Sequence, residues 1–438
     1  MIQTAILSAA ITREHEEVEG KISLKSEVTV RTNLDELGES YRQPFDAVIL
    51  SNHGADGVTR GYTIAGKKAA MIPMPAGGDK SVEFFNKTLT KIVTRPDAYK
   101  KLRSKATTQL LRNMALHGSY LYGVIMAGRS ATDPLAIAKR IQVISAREGA
   151  QLPVEFMYDH RAPIAPDAEV CPGVEQALES GKCPRTCEGG EKEPGFICPL
   201  GFWGLSRVIE RHVHDPRYLE RMKIADFALQ PEPVKSRRRL NILKCGLLAA
   251  SKKVDEAVKG GIARVRRALN KATAKNAVLV ETWSDWRLQI SQKSPPLLIL
   301  LPHTVEDSMT EMQMLEISDQ QRLILVGLSE ADVCGPEKSP PVVLLMGCDT
   351  DAPPISYQSF PISFRKLGAA LVISTGATIL GQQAAPVTEE LLRELAAFSG
   401  AGTRSFGEVM LAVRRKMLAH GYPMTLCLTA YGDTDWLL

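Results

Sequence analysis

The sequence predicts an α/β fold, a mostly parallel sheet sandwiched by helices and preceded by a small β-rich N-terminal domain. Three observations predict it. From residue 140 onward, short apolar runs (RIQVIS, PVEFMYD, NILKCGLLAA, AVLVETW, PPLLILL, PPVVLLM, AALVIST, MTLCLTAYG) alternate with helical segments at 252–273, 387–398 and 404–420. Strands apolar on both faces must be covered on both faces, which a parallel sheet with crossover helices achieves. Residues 1–95 have a different texture: strand-like runs (AILSAAI, KISLKSEVTVRT, FDAVILS, AAMIPM) separated by Gly/Asn/Asp turn material. Finally, 438 residues supply enough chain for two domains with a sizeable core, and no period of 20–50 residues marks a solenoid.

In chain order, residues 1–95 form the β-rich domain, expected to regulate the second domain or to contact a partner. Residues 96–438 form the larger domain, with an insert at 168–200. The stretch around 97–126 carries a proline near its start and recurrent apolar spacing, and reads as a helix. Within 252–273, Val254, Val258, Ile262, Val265 and Leu269 recur at helical spacing and form an inner face.

Charge is unevenly placed. The chain carries +5, yet residues 235–275 hold thirteen Lys/Arg against two acids, a local +11 that leaves the remainder at −6. The helix in that stretch has a basic outer face. Such a face is either solvated or a surface for a polyanion. Aromatic residues do not interleave the cations, so nucleic acid is not the favoured partner. No apolar run approaches the ~20 residues of a membrane span. The opening MIQTAILSAAITREHEE lacks the basic flank and apolar region of a secretory leader. A cytoplasmic protein is expected.

Two strands are near twins. SPPLLILLPH and SPPVVLLMGC each run Ser-Pro-Pro, five apolar residues, one further residue, then a reactive side chain. His303 lies nine residues after Ser294, and Cys348 nine after Ser339. As parallel neighbours about 4.8 Å apart, the strands would deliver imidazole and thiol together at their carboxyl edge, where open α/β sheets place chemistry. A thiol of ordinary pKa near ~8.5 is mostly protonated at neutral pH. A neighbouring imidazolium favours the nucleophilic thiolate and can return a proton to a leaving amine. Acyl transfer is the matching chemistry, with Cys348 as nucleophile and His303 as general base and acid; it needs no cofactor. A second histidine, His53-Gly54, ends the apolar run FDAVILS and is a rival base.

Histidine after one apolar strand and cysteine after the next, 45 residues on, is the caspase-like order. Over roughly residues 98–438 the chain resembles the CHAT branch of the caspase/separase clan. The family's Pro-Trp-Glu-φ-φ-Tyr-Asp segment is similar to Pro153-Val154-Glu155-Phe156-Met157-Tyr158-Asp159, and its following strand to GFWGLSRVIER. Its small residue-Cys-acid-Thr element resembles Gly347-Cys348-Asp349-Thr350. GAALVISTGATI and Ala430-Tyr431-Gly432-Asp433 resemble the closing strands. The resemblance implies a caspase-like sheet and a cysteine endopeptidase that cleaves a protein partner, often in bacterial defence or signalling, under control of an activating protein. It also implies an oxyanion hole of backbone N–H groups, here those of Thr304 and Cys348. The family commonly has Gly where Thr304 stands, and Trp where Val154 stands. A catalytically silent adaptor, binding a protein or nucleic acid through the basic face, is the alternative.

The insert holds Cys171, Cys183, Cys187 and Cys198 at C-x11-C-x3-C-x10-C spacing amid Gly and Pro. Four thiolates in a loop with little apolar surface suit a closed, structural Zn2+ site that supplies missing folding energy. Free reduced thiols or a redox role are the alternatives. His212 and His214, just beyond the insert, read as a solvated strand end. Asp349 and Asp351 follow the nucleophile. They either line a substrate pocket favouring Lys or Arg, or cap the next turn.

Overall fold

The structure is a computed structural model. It describes residues 12–18, 21–27, 46–53, 59–65, 68–73, 76–99, 101–145, 152–182, 196–213, 240–257, 259–306, 313–318, 321–336, 339–347, 359–375, 381–399 and 404–437. Strands β1 (Thr12–Val18) and β2 (Lys21–Glu27) form an antiparallel ribbon. There follow β3 (Ala47–His53), β4 (Thr59–Ala65), β5 (Lys68–Pro73) and helices α1 (Ala76–Thr94) and α2 (Lys105–Ile125). A short helix α3 (Pro134–Ile137) precedes β6 (Arg140–Ser145). Helices α4 (Val174–Ser180) and α5 (Trp203–Ser206) precede β7 (Val208–Val213).

The second half begins with β8 (Gly246–Ala250), α6 (Lys253–Ala257), α7 (Gly261–Ala272), β9 (Val278–Val280) and α8 (Trp283–Lys293). Strand β10 (Leu297–Leu301) leads into a three-stranded antiparallel sheet, β11 (His303–Glu306), β12 (Gln313–Ile317) and β13 (Gln321–Ile324). The chain closes with β14 (Val342–Leu345), α9 (Ser359–Lys366), β15 (Leu371–Thr375), α10 (Gly381–Ser399), α11 (Phe406–Ala419) and β16 (Leu428–Gly432).

Among the described residues, eleven strands join in one sheet, in the order β5-β4-β3-β6-β7-β16-β15-β14-β10-β8-β9. Nine of these strands make two parallel blocks, and β4 and β5 extend the sheet antiparallel beyond β3. Strands β3, β6, β7 and β16 run one way; β15, β14, β10, β8 and β9 run the other. The blocks meet at the antiparallel pair β15–β16, so their carboxyl ends lie at opposite edges. The α/β class and the mostly parallel pairing are as the sequence predicts.

The doubly apolar strands split by parity. Leu297, Ile299, Leu301, Val342, Leu344, Met346, Leu371 and Ile373 pack in a core with Val265 and Leu269 of α7 and Leu391 and Leu395 of α10. Leu298, Leu300, Val343, Leu345 and Val372 face Trp283, Trp286 and Ile290 of α8 and Phe360 and Phe364 of α9. Burying each such side chain contributes about 1.5–3 kcal/mol relative to exposure. The twin Ser-Pro-Pro openings have a backbone cause. Ser294 ends α8 in the left-handed region (φ 40), and prolines follow where a helix cannot continue. The Pro296 and Pro341 carbonyls accept ladder bonds from Val342 and Ala370 at 2.9 and 2.8 Å, so these prolines start strands without leaving a donor unpaired.

Several expectations are corrected. PVEFMYD is not a strand: Val154–Phe156 is a 3-10 turn, and Tyr158 makes an isolated bridge to Phe202. The single helix at 252–273 is two, α6 and α7, broken where Gly260 takes φ +75. The helix expected from 97 begins at Lys105, capped by Ser104. Residues 76–94, read as part of a β-rich domain, form α1. Phe85, Leu89 and Ile92 of α1 and Ile49 of β3 belong to the core that also holds Ile141 and Ile209. The boundary at 95/96 therefore divides neither sheet nor core among the described residues. Among them, no helix is long and apolar enough to cross a membrane.

Candidate active site

The twin strands are parallel neighbours in register. Leu297 pairs with Val342 and Leu300 with Leu345, and Met346 donates to the Leu300 carbonyl at 2.9 Å. Three residues past Leu300 is His303, and three past Leu345 is Cys348. Gly347, the last described residue of that strand, is buried. Cys348, Asp349 and Asp351 lie outside the described residues.

His303 opens β11, where the chain leaves the large sheet, and is 9% exposed. Thr304 is buried too, and its hydroxyl has no hydrogen-bond partner among the described residues. Thr375, at the end of β15, stands one residue beyond Ser374, the partner of Leu345, and its hydroxyl is likewise buried without a partner among the described residues. The carboxyl edge at β10, β14 and β15 thus presents polar side chains above an apolar sheet.

Opposite His303 on β12 stands Glu316, and opposite Glu316 on β13 stands Arg322. Directly paired residues of an antiparallel ladder project to the same face. His303, Glu316 and Arg322 therefore form one cross-strand row, with Arg322 Nε donating to Glu316 Oε2 at 2.9 Å. Glu316 is buried. The sequence reading missed it, and its only signal was the alternation of QMLEI.

His53 ends β3, whose direction is opposite to that of β10 and β14. It therefore lies at the other edge of the sheet from His303. Five strand spacings also separate β3 from β14, roughly 24 Å at about 4.8 Å each.

The segment Pro153–Asp159 has a structural part to play. Glu155 is buried, and Arg211 Nε donates to its Oε1 at 2.7 Å, with a second bond from the guanidinium to Oε2. Burial alone would raise the Glu155 carboxyl, but the Arg211 charge and hydrogen bonds hold it below the ordinary carboxylate value. Asp159 accepts from Arg207 at 2.6 Å and from the Trp203 indole at 3.2 Å, while Arg207 lies over the Trp203 ring. These pairs fasten the turn to α5 and β7.

The outer cysteines of the insert come together. Val170 and Ile197 form a parallel bridge, Cys171 donates its N–H to the Ile197 carbonyl at 2.9 Å, and the Cys198 N–H donates to the Tyr158 hydroxyl at 3.1 Å. Cys171 and Cys198 are both buried. Cys183 and Cys187 lie outside the described residues. His212 is not a solvated strand end: its side chain is 11% exposed and bonded to Glu210. His214 lies outside the described residues.

Among solved structures, the chain is similar to the Arg-specific cysteine proteinase gingipain R, at 12% identity and TM-score 0.40 over 82% of this chain and 76% of that one. It is also similar to the complex of Porphyromonas gingivalis RgpB pro- and mature domains, at 11% identity and TM-score 0.37 over 82% and 78%. A third likeness is to the Saccharomyces cerevisiae separase–securin complex, at 9% identity and TM-score 0.38 over 88% of this chain and 30% of that one. The chain thus spans less than a third of the separase chain. Scores this low carry no residue role across. No protein-family model matches the chain, and no curated protein sequence matches it.

Proposed function

We propose that the chain is a caspase-like cysteine endopeptidase acting on a protein substrate through Cys348 and His303. The observation that supports this reading is the parallel register of β10 and β14, in which Leu300 pairs with Leu345, three residues before His303 and three before Cys348 respectively. The Cys348 thiolate attacks the scissile carbonyl carbon, forming a C–S bond and an oxyanion that the Thr304 and Cys348 N–H groups stabilise. The tetrahedral adduct collapses, breaking the C–N bond, and His303 protonates the departing amine. His303 then takes a proton from water, whose oxygen attacks the thioester and releases the acid and the free thiol. Glu316 stands in one cross-strand row with the imidazole and serves to orient it. A defence or signalling setting and an activating protein partner follow from the family resemblance.

An active-site thiol probe tests the reading. Labelling of Cys348 that is fast in wild type and lost in His303→Ala is expected. Slow labelling indifferent to His303 would favour the silent adaptor, whose best support is the exposed cations Arg266, Arg267 and Lys271 on α7.

The insert is proposed to hold a structural Zn2+ between Cys171, Cys183, Cys187 and Cys198. Its support is the juxtaposition of the two outer cysteines, buried and tied by backbone hydrogen bonds. Four thiolates would close the coordination sphere, leaving the metal no part in catalysis.

A further inference from the structure

Two carboxylates and an imidazole converge at the carboxyl ends of β7 and β16, the edge of the sheet opposite His303. Glu210 is wholly buried. Its register partner Gln142 donates to Oε1 at 2.8 Å, and Thr434 donates its N–H to Oε2 at 2.6 Å and its hydroxyl at 3.3 Å. His212 Nε2 lies 2.7 Å from Glu210 Oε1 and 3.7 Å from Asp433 Oδ1. One ligand atom from each of the three residues falls within 4.8 Å of the other two.

One imidazole nitrogen carries at most one proton and cannot serve both carboxylates. Among the described residues, neither carboxylate forms an ion pair with a lysine or arginine. Two acids facing one another with little solvent call for a positive charge where they meet. Metal–ligand bonds of about 2.0–2.2 Å let a single ion reach all three atoms with small side-chain shifts. Gln142 and Thr434 would orient Glu210 from outside, as outer partners of metal ligands do.

We propose that Glu210, His212 and Asp433 hold a divalent cation of the Mn2+ or Zn2+ class, distinct from the four-cysteine insert. The carboxyl ends of adjacent parallel strands are where open α/β sheets take ligands. The ion fastens β16, the strand at which the two blocks meet, to β7. It also anchors the segment after Asp433, whose Thr434 and Trp436 carbonyls receive the first N–H groups of α11 at 2.7 and 2.8 Å.

Mn2+ is the probe, because a four-thiolate site takes it poorly. Full-length chain freed of metal by chelator is titrated with Mn2+ and the free ion followed by electron paramagnetic resonance. One Mn2+ per chain is expected, weakened at least tenfold by Asp433→Asn and by His212→Gln and unchanged by Cys183→Ser with Cys187→Ser. Both altered side chains lie partly at the surface, and circular dichroism checks that the variants fold. Mn2+ should raise the thermal midpoint of wild type and of the cysteine variant alone. Failure of wild type to bind Mn2+ stoichiometrically overturns the site. Binding indifferent to both substitutions, or lost with the cysteines, overturns it equally.

Discussion

Cys348→Ala replaces a small side chain by a smaller one, so proteolysis of a cleavable partner should vanish while the circular dichroism spectrum stays the same. His303→Ala should lower kcat/KM at least a hundredfold, the scale of a lost general acid–base. His53→Ala should retain most activity, because β3 points to the other edge. A dead His53→Ala beside an active His303→Ala would contradict the dyad. Glu316→Gln keeps the size of the side chain opposite His303 and removes its charge. Its expected effect is a kcat about tenfold lower with KM unchanged, read from steady-state cleavage. For Asp351, a basic cut-site preference relaxed by Asp351→Asn would assign it to the substrate pocket.

At the scale of elements, the Pro153–Asp159 turn is held by buried charge and by close packing. Removing one partner of a buried ion pair leaves the other uncompensated, at a cost of about 3–5 kcal/mol. Glu155→Gln should therefore lower the denaturation midpoint markedly. The Glu155 carboxyl is held below its ordinary value in the fold, so its ionised form binds the native state preferentially. This contribution is fully present above the ordinary carboxylate range and is lost as pH falls through the folded value. Wild type should thus lose stability toward acid more steeply than Glu155→Gln, as denaturation at stepped pH would reveal. Gly118 of α2 packs on the same turn. A Cβ there would sit 2.1 Å from the Phe156 carbonyl oxygen, so Gly118→Ala should destabilise by about 1–3 kcal/mol or more. The insert is an element of a different kind. Protein purified without chelator should carry about one zinc per chain more than Cys183→Ser with Cys187→Ser, by elemental analysis. Cys183→Ser with Cys187→Ser should open residues 168–200 to limited proteolysis before Cys348 labelling changes.

On the scale of the whole molecule, β3 pairs with β6, and α1 places Phe85, Leu89 and Ile92 in the shared core. A chain of residues 96–438 would expose that face and lose the outer strands of one block. Expressed alone, it should aggregate or unfold without cooperativity, whereas the full chain melts in one transition. A soluble, cooperatively folding 96–438 would show that the first 95 residues are a separable unit after all. The opposed carboxyl edges also divide the chemistry. The proposed nucleophile and base follow β14 and β10 in sequence, whereas the Glu210–His212–Asp433 cluster lies at the carboxyl ends of β7 and β16, so substitutions in the cluster should alter stability and metal affinity before proteolysis.

Patterns of adjacent residues were enough to determine the α/β class and the pairing of the twin strands. Each of these depends on local chemistry repeated at a fixed count: Pro-Pro that can only begin a strand, five apolar residues that demand cover on both faces, one reactive side chain at the end. The inner face of α7 was legible for the same reason, with Val265 and Leu269 buried as their spacing required. The direction of β3 relative to β10 and β14 was not legible. The same apolar run can be laid down either way, and only the antiparallel meeting of β15 and β16 put His53 at the far edge. Glu155 was read as part of a strand, because PVEFMYD has strand composition; the buried Arg211, 56 residues on, holds it in a turn instead. Glu316 and Glu210 were silent as well. A carboxylate acquires its role from what faces it across a ladder, and those partners are set by tertiary pairing between segments the sequence does not place side by side.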